Sequence, residues 1–591
     1  MKTAAAKHLL LPAAVFAFCA FSAAQAGPVF RRVIERVASL DPIEATSVYA
    51  GRCVALSYET LLEYDYEARP YRLRPCLATA MPEISEDGLV YTFRLNTNAC
   101  FIADKCFGEK GTRPVTAADF IYSFKRIADA KLPSTCYWLI DGRVEGIDAF
   151  HEASKAAEPT DYAAGISGLR ALADDVLQIR LTAPSPVFLW MMAMPNTAAV
   201  PHEAVEFYGD NFREHPVGSG PYYLADWKRN YKMTYRQNPH WRGWAAAAIP
   251  GSVGTQPPAP SPQNLEPRTQ NPEPAGAPFE TLVFPLIDDP STQWLAFLSG
   301  ELDIQGEVAR DNWDQVIMPD GSLNPELNAR GIALSAAPTL EVAYIGINMD
   351  DPVLGKNRKL RQALNAAFDA KRWEDYCRGR AVTSNGPVPP QVAGAITNDL
   401  PYGRGLDIAK KLLEEAGYPG GRDPATGKRL RLTLDLGKTT QDIRESTELM
   451  VAFMERCGIE LVPEYNNWPA FLKKVSQRRS QLFRIAWVGD YPDAENFLQL
   501  FYGPNASPGP NRCNYSNPDF DSLYREAMLT TDEARRLELY GEMQKIIQED
   551  SPWVFVSFAK SASLSHKSLL NYLPSDFSYG NEKYFRTDKT R

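Results

Sequence analysis

The chain reads as a mixed α/β protein built from more than one lobe. Three features predict this: a β-α-β unit in the C-terminal half, strands and helices interleaved from the N-terminal region onward, and a length that one core cannot fill. In the unit, residues 430–436 alternate apolar and polar positions as a strand, 443–457 carry a helical pattern, and Gly458-Ile459-Glu460-Leu461-Val462 is a second strand. At 591 residues the chain exceeds the roughly 250–300 at which single hydrophobic cores stop growing, so two or three domains are expected.

The elements follow in order from local pattern. Residues 57–64 read as the end of a helix, and 90–95 alternate as a half-buried strand after the turn Glu86-Asp87-Gly88. Thr116, with Asp119 three residues on, opens a helix that places Phe120, Ile121, Phe124 and Ile127 on its buried side. Residues 176–181 form another strand, ended by Pro184 and Pro186. Residues 222–227 and 232–236 make a hairpin around a short polar turn.

Residues 245–278 hold nine prolines and almost no large apolar side chains. Such a stretch buries too little to order itself, which predicts an exposed disordered loop inserted in one domain, between Trp241 and the strand 281–286. Beyond it, Trp294, Leu295, Phe297 and Leu298 mark a short helix. Helices are expected at 360–368 and at 409–416, the latter stopped by Gly417. A buried strand at 482–487 and a helix at 534–549, with Leu537, Tyr540, Ile546 and Ile547 inward, complete the pattern. No repeat of 20 to 50 residues recurs, which excludes solenoids.

Residues 1–26 have the form of a secretory leader: Lys2 and Lys7, an apolar stretch from Leu9 to Ala24, and the small-residue site Ala24-Gln25-Ala26. The mature chain is expected to begin at Gly27 and to be soluble and periplasmic. Cys19 follows the bulky Phe18, which argues against a lipid anchor. Losing Lys2 and Lys7 takes the net charge from −9 to −11, and such a surface repels nucleic acid on average. Eight cysteines remain after the leader, an even number suited to disulfides in an oxidising compartment. Cys100 with Cys106, and Cys53 with Cys76, are the candidate pairs; Cys377, Cys457 and Cys513 read equally well as buried thiols.

Catalytic motifs are missing. His151, His202, His215, His240 and His566 show no zinc-protease spacing, there is no C-x-x-C, and Gly218-Ser219-Gly220 is not a nucleophile elbow. No P-loop or dinucleotide fingerprint follows a strand. The expectation is a binding protein with no cofactor and no metal, rather than an enzyme.

Several segments occur together in a characteristic order. They include Leu40-Asp41-Pro42, Tyr58-Glu59-Thr60-Leu61-Leu62-Glu63-Tyr64, and Val115-Thr116-Ala117-Ala118-Asp119-Phe120-Ile121-Tyr122-Ser123-Phe124-Lys125-Arg126. His215-Pro216-Val217-Gly218-Ser219-Gly220-Pro221-Tyr222-Tyr223-Leu224 is the densest, followed by Leu298-Ser299-Gly300-Glu301-Leu302-Asp303, Asn357-Arg358-Lys359-Leu360-Arg361-Gln362-Ala363-Leu364 and Ala409-Lys410-Lys411-Leu412-Leu413-Glu414-Glu415-Ala416-Gly417-Tyr418. With them the chain resembles the peptide/nickel family of bacterial extracellular solute-binding proteins, over nearly its whole mature length.

The resemblance implies a two-lobed periplasmic-binding-protein fold that closes like a hinged clamp, with an extra small domain on the first lobe. It divides the chain into the leader 1–26, a first lobe I segment 27–65, the extra subdomain 66–189, and a second lobe I segment 190–285. Lobe II follows at 286–555 and a C-terminal lobe I segment at 556–591. The implied function is capture of di- or oligopeptides between the lobes and delivery to an inner-membrane ABC permease with its ATPase subunits, by a monomer. A sugar, opine or metal chelate is the alternative ligand on the same fold, and a secreted hydrolase the remote one. The implied site is Arg484-Ile485-Ala486-Trp487-Val488-Gly489-Asp490-Tyr491. In oligopeptide-binding relatives the aspartate matching Asp490 pairs with the peptide ammonium, and the arginine matching Arg484 lies in the same cleft. Trp487 and Tyr491 complete the candidate set.

Overall fold

Four strands make the base of lobe I, in the order Val29–Arg31, Thr281–Pro285, Lys232–Gln237, Tyr222–Lys228; the first pair is parallel and the others antiparallel. This is a computed structural model that describes residues 27–244 and 276–588, apart from 307, 309–311 and 578. The leader with Cys19, and residues 245–275 of the proline-rich stretch, lie outside the described residues. The expected hairpin is present, and the helix Val48–Ser57 packs on its sheet with Cys53 and Leu56 among Phe30, Tyr235 and Leu282.

Residues 57–64 depart from the expected helix. The helix stops at Ser57, and the chain runs extended into the strand Leu62–Tyr64, paired with Leu73–Pro75. Tertiary partners decide this. Glu59 is buried and accepts hydrogen bonds from Ser219 Oγ at 2.9 Å, Trp241 Nε1 at 2.9 Å and Arg242 Nη1 at 2.6 Å. Gly218 and Gly220 pass so close to the same backbone that a Cβ on either would run into the carbonyl of Ser57. The Gly-Ser-Gly block therefore serves chain packing.

The extra subdomain is an antiparallel sheet ordered Glu83–Ile84, Val90–Arg94, Val176–Arg180, Leu169–Ala173. Its helix Ala117–Ala128 starts as predicted: the Asp119 carboxylate accepts from the Thr116 N–H at 2.8 Å and from Thr116 Oγ1 at 3.0 Å. At the other end Arg126 makes a two-pronged ion pair with Asp41, at 2.9 and 2.6 Å, with 4% and 7% of the two side chains exposed. That pair ties the subdomain to the Leu40-Asp41-Pro42 segment.

Two long antiparallel strands, Ile332–Ile347 and Trp553–His566, join the lobes. Their ladder is regular from Ile332↔His566 to Pro338↔Lys560, breaks, and resumes at Val342↔Phe558. Near one end Trp553–His566 pairs with Ile304–Gln305, and both strands pack with Phe297, Leu302 and Val33. At the other they continue into the lobe II sheet through Leu482–Val488, Arg431–Leu436 and Glu460–Tyr465. Arg431–Leu436 is parallel to both its neighbours, with the helix Gln441–Glu455 as crossover to Glu460–Tyr465. The lobe boundary expected at 555/556 thus falls inside one strand. Sequence reading missed that strand because Trp553–Phe558 are buried throughout, which leaves no alternation to see.

Lobe II explains another motif. Asn357 caps the helix Arg358–Ala367 by accepting from Leu360 N–H at 3.1 Å, and Arg361 donates to the carbonyls of Leu354, Gly355 and Asp550. The helices at Leu406–Glu415 and Glu533–Asp550 also form as expected.

The eight described cysteines are free thiols, contrary to the pairs Cys100–Cys106 and Cys53–Cys76. Three of the four have other neighbours: Cys53 is buried beside the Tyr235 hydroxyl, Cys76 Sγ lies 3.8 Å from Glu59 Oε1 and Cys106 faces Asp104, while Cys100 is exposed.

The chain's two ends meet at Glu63, which accepts from Lys583 Nζ and, at 2.8 Å, from Arg74 Nε. Burial alone would raise the Glu63 pKa, but Lys583 and Arg74 hold it at about 2, against 4.5 unperturbed. A carboxyl depressed on folding stabilises above its unfolded pKa and loses that contribution as pH falls through the folded one. Wild type should therefore lose stability between pH 4.5 and about 2 more steeply than Glu63→Gln. Acid unfolding followed by circular dichroism checks this, and identical acid limbs would refute it.

Candidate ligand cleft

Hydrogen bonding between Gly489 N–H and the Leu340 carbonyl, at 2.9 Å, carries the ladder of the strand Leu482–Val488 to its last residue. The chain then turns. Asn496 fixes the turn by accepting from Trp487 Nε1 at 3.0 Å and from Asp490 N–H at 3.1 Å. Asp493 braces it from behind, accepting from Glu495 N–H at 2.9 Å and Tyr540 OH at 2.8 Å.

This arrangement leaves the Asp490 side chain exposed at the cleft surface, close enough to Tyr64 and Tyr579 of lobe I that its charge adds to the larger effect of burial in raising both phenol pKa values. The surrounding protein pushes the Asp490 pKa up, and the Asn496 amide opposes the shift. A carboxylate so placed suits a cation that reaches it from the cleft.

The other three candidates do not join it. Trp487 is half-buried, packed against the core and pinned to Asn496, so it acts as the wall that orients Asp490. Tyr491 is 3% exposed and its hydroxyl donates to Glu495, which also accepts from Tyr524; it belongs to the core and contacts no cleft. Arg484 donates to Ser446 Oγ at 2.7 Å and lies 5.5 Å from the centre of the Trp373 ring. Six residues of strand separate it from Asp490, about 20 Å of chain. It is held inside lobe II, and burial lowers its pKa. The expectation that Arg484 and Asp490 share a cleft is corrected accordingly.

A cavity of about 1010 Å³ opens where the crossing strands meet lobe I, at the upper end of the range for small-ligand sites. Arg32, Tyr49, Arg52, Arg69, Asp576 and Gln391 are among its lining residues, and none of the four predicted residues is. Asp576 accepts from Tyr71 OH at 3.0 Å and from Leu340 N–H at 3.2 Å, while burial raises its pKa against those two bonds. Tyr579 connects the two places. Half-buried, it feels the charges of Asp490, Asp576 and Arg52 together. Asp490 therefore stands beside the cavity, one residue pair beyond Leu340.

Sequence reading missed Arg52 and Asp576. Arg52 did leave a signal, a single charge in the otherwise uncharged run Val48-Tyr49-Ala50-Gly51-Arg52-Cys53-Val54-Ala55-Leu56. Asp576 left none, because its partners Tyr71 and Leu340 are hundreds of residues away. Among the described residues no His, Cys, Asp and Glu group is arranged to hold a metal, and no helix is long and apolar enough to cross a membrane.

Comparison with known proteins agrees with this architecture. The profile of the bacterial extracellular solute-binding proteins, family 5 Middle, matches residues 72–509. Heme-binding protein A of Haemophilus influenzae is 24% identical over 549 residues, covering 91% of this chain and 87% of the relative. The periplasmic oligopeptide-binding protein OppA of Escherichia coli is 26% identical over 539 residues, covering 89% and 86%. The solved structure of HbpA2 from Haemophilus parasuis superposes with a TM-score of 0.76 at 22% identity, over 95% of this chain and all of that one.

Proposed function

Because the chain belongs to family 5 of the bacterial extracellular solute-binding proteins, we propose that it captures peptides between its lobes and delivers them to an inner-membrane ABC permease. The leader-like first 26 residues support a periplasmic location, and similarity to an oligopeptide-binding relative supports the ligand class. The observation that carries the reading is the position of Asp490, a carboxylate open to the cleft beside a cavity of about 1010 Å³.

An α-ammonium leaving water requires such a partner, since an unpaired buried charge costs several kcal/mol. Tyr64 and Tyr579 of lobe I lie close enough to feel the charge of the same carboxylate, so a ligand seated at Asp490 reaches both lobes and favours the closed form. The broken ladder between Pro338 and Val342 gives the lobes a place to bend. Delivery then needs no bond-making by this protein.

Native mass spectrometry of the protein purified from its periplasm tests the ligand class. Peptides are the expected co-purifying species; saccharides, or haem as the name of one relative suggests, would overturn the assignment. Adding the released peptides back to stripped protein should reduce the radius of gyration in solution scattering, and unchanged dimensions on tight binding would refute the clamp.

A further inference from the structure

In the wall of the cavity, two arginines share one carboxylate. Glu582 Oε1 lies 3.4 Å from Arg32 Nη1 and 3.6 Å from Arg52 Nε, longer than the roughly 2.7–2.9 Å of a charge-assisted hydrogen bond. Arg52 is 4% exposed. Its Nε and Nη1, and Arg32 Nε, have no hydrogen-bond partner among the described residues. Burying guanidinium donors without acceptors is costly.

The other charged side chains of the wall have partners of their own. Arg36 pairs with Asp288 at 2.9 Å, Glu35 is exposed and bonded to the Tyr49 hydroxyl, Arg69 stacks on Tyr71, and Asp576 accepts from Tyr71 and Leu340. Within the Arg32–Arg52–Glu582 group, two guanidiniums share a single carboxylate in the cavity wall. Burial first, and Arg32 second, lower the Arg52 pKa to about 10, so the Arg52 guanidinium remains charged at neutral pH.

We propose that Arg52 and Arg32 form an anion-recognising subsite of this cavity, which takes a carboxylate of the captured ligand. Resting on the peptide reading above, it gives the ligand's negative group a place on the lobe I side of Tyr579 while Asp490 meets the ammonium on the lobe II side. Glu582 Oε2 is also without a partner among the described residues, so what an incoming carboxylate supplies is acceptors placed within reach of Arg52 Nη1 and Arg32 Nε. Gln391, whose amide oxygen and nitrogen are likewise unpartnered among the described residues, contributes a polar group to the same wall.

The test uses the full mature chain and calorimetry with three probes: Ala-Ala-Ala, its C-terminal amide, and the amide of Ala-Glu-Ala. Wild type should bind the free acid at least about tenfold more tightly than the first amide, as one charge-assisted contact implies. The glutamate amide tells a terminal carboxylate from a side-chain one: recovered affinity names the side chain, and weak binding names the terminus. In Arg52→Met the preference for a carboxylate should shrink to less than about twofold, with Arg52→Lys retaining part of it. Arg52→Met keeping the full preference overturns the subsite, and Arg32→Met replaces it should that variant fail to fold. If no tripeptide binds wild type, the peptide reading fails, and the subsite is judged on succinate alone: it should raise the wild-type melting temperature and not that of Arg52→Met. Equal shifts, or none in wild type, refute the pair.

Discussion

Arg126→Ala is expected to destabilise the protein by about 3–5 kcal/mol, the cost of leaving one member of a buried ion pair without its partner. Asp41 is 5% exposed and receives both guanidinium prongs, at 2.9 and 2.6 Å, so alanine strands a carboxylate that water cannot reach. Arg126 also lies 5.3 Å from the centre of the Phe212 ring, and its removal opens space there. The double variant Arg126→Met with Asp41→Asn removes both charges and keeps the volume, and should recover much of the loss. Urea unfolding of the wild type, the single variants and the double variant measures the coupling directly. A single-variant loss below about 1 kcal/mol, the range of surface pairs, would show that the contact is solvated.

Asp490→Asn should weaken binding of an unblocked tripeptide by about 2 kcal/mol, roughly thirtyfold, the order lost when one partner of a buried charge pair disappears. The substitution preserves shape, and the backbone bond from residue 490 to Asn496 does not depend on the charge. Acetylating the peptide amine should cost wild type a similar amount and cost the variant little more, because each change removes the same contact. Calorimetry on the four combinations gives the coupling energy. Additive losses would show that Asp490 does not meet the ammonium. The raised Asp490 pKa adds a sign: binding should decline on acidification as the carboxyl takes up its proton, and the decline should be missing from the Asn variant.

Features that depend on neighbours in sequence were legible in advance. The helix Ala117–Ala128 starts where Thr116 and Asp119 place it, because both capping partners lie within one turn. The parallel pair Arg431–Leu436 and Glu460–Tyr465 follows from a strand, helix and strand written consecutively. Gly417, at φ 88°, ends its helix as its lack of a Cβ allows. Of the four candidate site residues only Asp490 is exposed, and its exposure follows from the turn that ends its strand.

Tertiary structure decided the rest. Arg484 and Tyr491 share a segment with Asp490, but Arg484 is drawn under Trp373, contributed by a distant element, and Tyr491 onto the nearby Glu495, whose other carboxylate oxygen accepts from Tyr524. The cavity joins Arg32 and Arg52 to Asp576 and Glu582 across more than 500 residues of sequence. Whether a charge is buried, paired or open to a ligand depends on which chain segments pack around it, and a local pattern of residues carries no record of that packing.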